Sequence, residues 1–222
     1  MESEPLTIAV DAETNVSGLL MLPPKAHALY VLAHGAGAGM AHSFMTAIAN
    51  ELAAVGVGTL RYQFPYFEQG KKRTDPPPVC HATVRAAVNE AARRAPKLKL
   101  IAGGKSFGGR MTSQAQALRP LPNVAGLAFI GFPLHLAKKP ATERAKHLAD
   151  VKIPTLFLQG TRDELADLTL FEPVVASMGK DATLKIIDGA DHAFHVLARS
   201  GRKDADVLRE LAQDIAAWSK TL

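Results

Sequence analysis

The chain has 222 residues, of which 47% are hydrophobic and 21% charged, a composition typical of one globular domain covering residues 1–222. No apolar run approaches the ~18 residues of a membrane span, and the acidic start MESEPLT does not resemble a secretory signal, so we expect no membrane association and a cytoplasmic location. The net charge of +5 comes from short basic groups interrupted by acids, which indicates a solvated surface rather than a nucleic-acid partner. The single cysteine, Cys80, excludes an internal disulfide and a thiolate metal cluster.

The first elements are predicted to be strands. Two short β-like runs, 7–10 and 17–22, are separated by polar turn residues and predict an N-terminal antiparallel hairpin. The continuous apolar run ALYVLA, residues 28–33, is typical of a strand covered on both faces. It leads directly into the glycine-rich stretch HGAGAG, so a site is expected where this strand ends.

Apolar residues spaced three and four apart predict helices that lie against a sheet. The three sets are Phe44, Ile48, Leu52 and Val55, then Val84, Val88, Ala91 and Ala95, and finally Val207, Leu211, Ile215 and Trp218. Further strands are predicted at 57–62, 98–102, 124–130, 155–158 and 183–187, and a further helical run at 111–118. The segment 63–78, which contains three consecutive prolines, is predicted to be neither strand nor helix.

Alternation of strands and helices predicts an α/β fold, with a mostly parallel sheet, helices on both faces and the N-terminal antiparallel hairpin at one edge. In such open sheets, ligands bind beyond the carboxyl ends of the strands. The loops that deserve inspection therefore follow Ala33, Ala102, Leu158 and Ile187.

The stretch GGKSFGG, residues 103–109, fits two incompatible motifs. Read as GKS, it could end a phosphate-binding loop, but that loop requires a glycine where Lys99 stands inside a predicted strand. Read as GKSFG, it fits the G-x-S-x-G nucleophile elbow, a sharp turn between a strand and a helix. The sequence therefore predicts that Ser106 is a nucleophile.

A serine hydroxyl needs a histidine to take its proton and a carboxylate to orient that histidine. Asp163 follows the strand TLFLQ in the turn GTRD, and His192 follows the strand TLKII in the loop DGADHAF. Both come after Ser106 in the chain order Ser, Asp, His that is expected for a nucleophile elbow. These three residues are the predicted catalytic set.

Neighbouring residues remain alternatives to two members of this set. Asp167 or Glu164 could replace Asp163 as the acid, although Asp163 is nearest the end of the strand. His195 could replace His192, and its other interpretation is a histidine that packs near the site.

The developing negative charge on a substrate requires backbone N–H donors. We expect one from Phe107, directly after the nucleophile, and one from the loop His34-Gly35-Ala36-Gly37, with Ala36 first and Gly35 or Gly37 as alternatives. His34 is interpreted as a loop-stabilising residue rather than a base. A dinucleotide-binding loop is disfavoured here because G-x-G-x-x-G would need glycine at Met40.

Together these motifs resemble the α/β-hydrolase superfamily, and within it small hydrolases that are similar to dienelactone hydrolases and lack an inserted lid domain. The similar subgroup includes an animal testis-expressed hydrolase-like protein and a subunit of a nuclear acetyltransferase complex. The resemblance covers nearly the whole chain, through HGAGAG, RYQFPY, the DPPP segment, GGKSFGGRM, GFPLH, LFLQGTRD and GADHAF. It implies a Ser-His-Asp hydrolase at Ser106, Asp163 and His192. Dienelactone hydrolases themselves have cysteine at the elbow, so a dienelactone substrate is not expected.

The predicted function is hydrolysis of a small-molecule ester or similar acyl compound, without a metal or an organic cofactor. The alternative is a hydrolase-shaped binding module without physiological catalysis. The loops 62–78 and 131–149 are predicted to form the pocket walls, with Phe64, Phe132 and His135 as candidate substrate contacts. The sequence leaves the natural substrate and the oligomeric state open.

Overall fold

A computed structural model describes residues 1–222, and one mixed sheet organises the chain. Its eight strands are β1 (Glu4–Ala9), β2 (Asn15–Met21), β3 (Ala28–Ala33), β4 (Val57–Tyr62), β5 (Lys99–Lys105), β6 (Val124–Ile130), β7 (Thr155–Gly160) and β8 (Ala182–Ile187). They are arranged in the order β1-β2-β4-β3-β5-β6-β7-β8. The pairs β1/β2 and β2/β4 are antiparallel, and every other pair is parallel. The predicted sheet with its N-terminal hairpin is therefore confirmed.

The central strand β3 shows why its sequence is apolar throughout. Successive side chains of a strand point to opposite faces of the sheet. Leu29 and Val31 accordingly belong to one hydrophobic cluster, whereas Tyr30 and Leu32 belong to the other. A strand that contributes to two cores has no solvent face, so the run ALYVLA needs no polar residue.

Six α-helices cover the two faces of the sheet. They are α1 (Ser43–Ala54), α2 (Pro65–Glu68), α3 (Pro77–Arg94), α4 (Phe107–Leu118), α5 (Leu168–Ser177) and α6 (Asp204–Ser219). Buried side chains of α1 and α6 share one core, and those of α3, α4 and α5 share the other. None of the helices combines the length and apolarity needed to cross a bilayer.

The structure corrects two predictions about the connections. The segment 63–78, predicted to be irregular, contains α2 and the first residues of α3. Both helices have proline in the first turn, where its missing N–H would have no helical partner in any case. The loop that follows β6, 131–149, also contains most of a 3₁₀ helix, Glu143–Asp150. The structure adds α5, which contains Pro173 and was not among the predicted helices.

Candidate active site

Ser106 lies at a sharp turn between β5, which ends at Lys105, and α4, which begins at Phe107. Its backbone has φ +50° and ψ −116°, a conformation that non-glycine residues seldom adopt. The Ser106 N–H donates to Ile130 O at 3.1 Å, and its own carbonyl accepts from Arg110 N at 3.1 Å. The turn is therefore held from both sides, as a strained backbone requires.

Two glycines of the motif are required by the close approach of β5 and α4 to β3. A Cβ atom at Gly104 would lie 2.3 Å from Ala33 O, and one at Gly108 would lie 2.5 Å from His34 O. Both distances are far below van der Waals contact and the obstructing atoms are backbone. The G-x-S-x-G spacing thus follows from the packing that brings Ser106 beside the loop after β3.

Three side chains form a continuous hydrogen-bonded chain at this turn. His192 Nε2 lies 2.8 Å from Ser106 Oγ, and His192 Nδ1 lies 2.7 Å from Asp163 Oδ2. Because an ionised carboxylate can only accept, Nδ1 carries the proton and Nε2 accepts from the serine hydroxyl. This tautomer is the one that can remove a proton from Ser106.

Hydrogen bonds other than the one to His192 also fix the carboxylate of Asp163. Its side chain has no solvent exposure, whereas that of His192 is 26% exposed. Gln159 Nε2 donates to Asp163 Oδ2 at 2.5 Å, and Leu165 N donates to Oδ1 at 2.8 Å. A buried carboxylate with both oxygens bonded has one orientation, so it also fixes the orientation of the imidazole.

The alternative acids and the alternative histidine have other contacts. Asp167 caps α5, where its Oδ1 accepts from Thr169 N at 2.9 Å, and Glu164 is exposed. His195 Nδ1 lies 2.6 Å from Asp204 Oδ2, and its side chain is 66% exposed. No hydrogen bond joins any of these residues to Ser106 or His192.

Backbone donors are available on both sides of Ser106. The N–H groups of Phe107 and Ala36 donate to no acceptor in the protein. Those of Gly35 and Gly37 are equally free, so the structure leaves all three donors of this loop available. Which of them would meet a substrate oxygen stays a prediction.

The loop after β3 is held by buried side chains. His34 Nδ1 donates to Gly35 O at 2.7 Å, and His34 Nε2 accepts from Phe64 N at 3.1 Å. Tyr66 donates its hydroxyl to Ala36 O at 2.8 Å. Burial lowers the pKa of His34 to about 4, so the ring is neutral at pH 7 and holds the loop as predicted.

A largely apolar cavity of about 490 Å³ opens beside Ser106 and His192. Its wall combines Phe44 and Met45 of α1 with Phe194, from the segment that follows His192. The rings of Phe44 and Phe194 are stacked with centroids 6.1 Å apart. The cavity therefore lies on the α1 and α6 side of the sheet.

The prediction that the loops 62–78 and 131–149 form the pocket walls was wrong, because no residue of either loop lines the cavity. Phe64 and Phe132 are fully buried in the core on the opposite face of the sheet. His135 is also buried, and its Nε2 accepts from Asp167 N at 2.8 Å. The two phenylalanines predicted to contact substrate therefore belong to the core instead.

Lys105 contributes to the site in a way that the sequence analysis did not identify. Its Nζ donates to His192 O at 2.6 Å, and it lines the same cavity as Ser106.

Other kinds of site find no support at this turn. Lys99 lies within β5, so no phosphate-binding loop precedes the motif. No group of three or more His, Cys, Asp or Glu side chains is arranged to hold a metal ion.

Comparison with known proteins agrees with this architecture. Residues 26–220 match the model of the alpha/beta hydrolase domain family, and the chain belongs to that family. A dienelactone hydrolase from Anabaena variabilis ATCC 29413 has 22% identity and a TM-score of 0.77, with 98% of this chain and 96% of that chain covered. A serine hydrolase without a lid from Xanthomonas campestris has 22% identity and a TM-score of 0.74, with 98% and 95% covered.

The esterase domain of a Rhodothermus marinus protein is also similar in structure, with 16% identity and a TM-score of 0.75 over 100% of this chain and 99% of that chain. At these identities the likeness establishes the fold, which is that of small, lidless hydrolases similar to dienelactone hydrolase.

Proposed function

We propose that the protein is a serine hydrolase that cleaves an ester-type bond, with Ser106 as nucleophile, His192 as base and Asp163 as the orienting acid. The observation that carries this proposal is the unbroken chain of hydrogen bonds from Ser106 through His192 to the buried Asp163. The proposal treats residues 1–222 as one hydrolase domain and includes no metal or organic cofactor.

The reaction begins when Ser106 Oγ attacks the substrate carbonyl and His192 Nε2 takes the hydroxyl proton. Asp163 stabilises the resulting imidazolium through Nδ1. The N–H groups of Phe107 and Ala36, which have no acceptor within the protein, donate to the oxyanion. His192 then protonates the leaving alcohol, and water, activated by the same histidine, hydrolyses the acyl-enzyme.

The cavity supports a substrate class as well as a reaction type. Its lining includes alanine, phenylalanine, methionine and leucine side chains beside three histidines, a lysine and an aspartate, and its volume of about 490 Å³ is in the range of small-molecule sites. The ammonium group of Lys105 is already bonded to His192 O. We therefore propose a small ester whose group beside Ser106 is uncharged and apolar.

Labelling with a fluorophosphonate tests the proposed nucleophile, because only an activated serine reacts rapidly. The wild-type protein is expected to be labelled and to hydrolyse short p-nitrophenyl esters, whereas Ser106→Ala should do neither. Wild-type protein that stays unlabelled and inactive towards a panel of esters and thioesters would contradict catalysis and favour the binding-module alternative.

A further inference from the structure

One lysine links the serine turn to the histidine loop. Lys105 directly precedes Ser106, and its Nζ donates to the backbone oxygen of His192 at 2.6 Å across 87 positions of sequence. Each end of this contact is therefore at, or adjacent to, a residue of the proposed catalytic chain.

Several hydrogen bonds join the loop that carries His192 to the rest of the protein, among them Arg162 N to Ala190 O at 2.9 Å and Val196 N to Asp204 Oδ1 at 3.0 Å, but none of these involves the backbone of His192. Others lie within the loop. Asp191 Oδ1 accepts from Ala193 N and from His195 N, each at 2.9 Å. The carbonyl oxygen of His192 accepts from no backbone donor and from no side chain except Lys105. Removing the lysine donor would leave that oxygen without a protein partner.

The surroundings of Lys105 restrict where its amine can lie. Nζ is 5.4 Å from the ring centroid of Phe194 and 5.8 Å from that of Phe44. A Cβ atom at Gly131 would approach Nζ to 3.1 Å, so the third side is closed as well. The amine is thus enclosed between two aromatic rings and a glycine, and it points to the His192 carbonyl.

Charges near the amine favour its protonated form, although burial opposes it. Burial lowers the pKa of Lys105 to about 8, and the carboxylates of Asp163 and Asp191 partly offset this decrease. At pH 7 the amine is therefore mainly an ammonium group. Hydrogen bonds from a charged donor are shorter and roughly twice as strong as neutral ones.

We propose that Lys105 is a positioning residue that fixes the main chain of His192 and thereby keeps Nε2 within hydrogen-bonding distance of Ser106. This inference rests on the proposed hydrolase function, and it adds a residue that does not touch the substrate carbonyl. Lys105 is next to Ser106 in the chain, and its side chain extends to the loop that carries His192. Its effect is on geometry, so it should change kcat rather than KM.

Lys105→Met tests the proposal, since methionine preserves much of the apolar stem between the two rings and removes the donor. We expect kcat for p-nitrophenyl butyrate to fall by about 10- to 100-fold, because a displacement near 1 Å can cost about 10²-fold. KM should stay within about twofold of the wild-type value. The rate of fluorophosphonate labelling at Ser106 should decrease in parallel with kcat.

Lys99→Met is the matched control. Lys99 lies at the opposite end of β5, and its Nζ also donates to backbone oxygens, Leu222 O at 2.8 Å and Ser219 O at 3.3 Å. This variant loses the same kind of bond far from the elbow, so kcat should remain near the wild-type value. Equal kcat in the two variants, with wild-type protein active and Ser106→Ala inactive, would overturn the role of Lys105 and leave the proposed function intact.

A readout without turnover separates failure of this inference from failure of the proposed function. The proton between His192 Nδ1 and Asp163 should give a low-field resonance in NMR spectra, assigned by its loss in His192→Ala. We expect this resonance to broaden or disappear in Lys105→Met and to persist in Lys99→Met. Its persistence in Lys105→Met would overturn the inference even for a protein without esterase activity. If Lys105→Met does not fold, Lys105→Gln, whose shorter side chain also loses the contact, takes its place with the same expectations.

Discussion

His192 Nε2 lies 2.8 Å from Ser106 Oγ although the two residues are 86 positions apart in the chain. Ser106 follows β5 and His192 follows β8, and β6 and β7 separate these strands in the sheet. Three strand spacings amount to roughly 14 Å, so the sheet alone does not bring the residues together. The loop after β8 returns across the ends of two strands and thereby brings His192 to Ser106.

The acid is expected to be Asp163 rather than Asp167. Asp163→Asn should lower kcat by about 10⁴-fold, because an amide at this position favours the wrong tautomer of His192. Asp167→Asn should leave kcat nearly unchanged, since Asp167 caps α5 and asparagine is also a good cap. Steady-state kinetics with one ester decides between them, and a large loss in Asp167→Asn alone would reverse the assignment.

The base is expected to be His192 rather than His195. His192→Ala should abolish fluorophosphonate labelling, whereas His195→Ala should be labelled at nearly the wild-type rate. The exposed pair of His195 with Asp204 contributes little to stability, as is usual for surface ion pairs. If His195→Ala lost labelling while remaining folded, the histidine of the proposed mechanism would have to be revised.

Gly108 should respond to alanine in the opposite way from an ordinary helical glycine. Gly→Ala within a helix normally stabilises by about 0.5–1 kcal/mol. At Gly108 the added Cβ would lie 2.5 Å from His34 O, so we expect a loss of about 2 kcal/mol or more in the free energy of unfolding. Gly37→Ala is the control because nothing lies within 4 Å of its Cβ position. Urea unfolding curves that gave equal stability for both variants would refute the packing argument.

The protein should lose stability as pH falls from about 6.5 to about 4, partly because of His34. Burial lowers the pKa of His34 to about 4 from an ordinary value of 6.5, so in this window the unfolded chain binds a proton that the folded protein does not. The unfolded state therefore gains up to roughly 3 kcal/mol from this group. His34→Gln should reduce the slope of unfolding free energy against pH.

His147 provides a parallel case, since burial also lowers its pKa to about 4. His147→Gln should remove a separate part of the same slope, and the double variant should be flatter than either single variant. An unchanged slope in His34→Gln would mean that this ring is not kept neutral by the fold.

The apolar cavity should determine which esters are accepted. Ala47 lies on α1 and lines the cavity, so Ala47→Phe would fill part of its volume. We expect kcat/KM for p-nitrophenyl octanoate to fall at least about tenfold more than kcat/KM for the acetate, since even one methylene in a hydrophobic pocket is worth about 1–3 kcal/mol. Phe64→Leu is the control, because Phe64 does not line the cavity. A loss that was equal for both esters would place the substrate elsewhere.

The sequence predicted the strands well because buried strands carry their own signal. The predicted limits of β3, β4 and β6 agree with the structure, and each of these strands is almost wholly buried. The elbow was also predictable, since its glycines are required by backbone contacts that few residues permit. The positions of Asp163 and His192 followed from the rule that polar groups at strand ends share one edge of the sheet.

The cavity could not be predicted in the same way. It lies between α1 and the segment after β8. The spacing of apolar residues within either segment does not indicate that the two segments are in contact. The spacing predicts Phe44 on the core face of α1, and Phe44 does pack against that core, but nothing in the spacing indicates that it also lines the cavity. The prediction for Phe64 was wrong: this residue directly precedes α2 and is fully buried, whereas the segment 63–78 was predicted to be irregular.

The left-handed backbone of Ser106 has a consequence for variants at that position. Glycine would occupy this conformation without steric cost, so a screen that selects only for thermal resistance should enrich Ser106→Gly, while a screen for turnover should eliminate it. The two screens would therefore select different residues at position 106. The difference in unfolding free energy between wild type and Ser106→Gly would measure the stability that is lost by keeping a hydroxyl there.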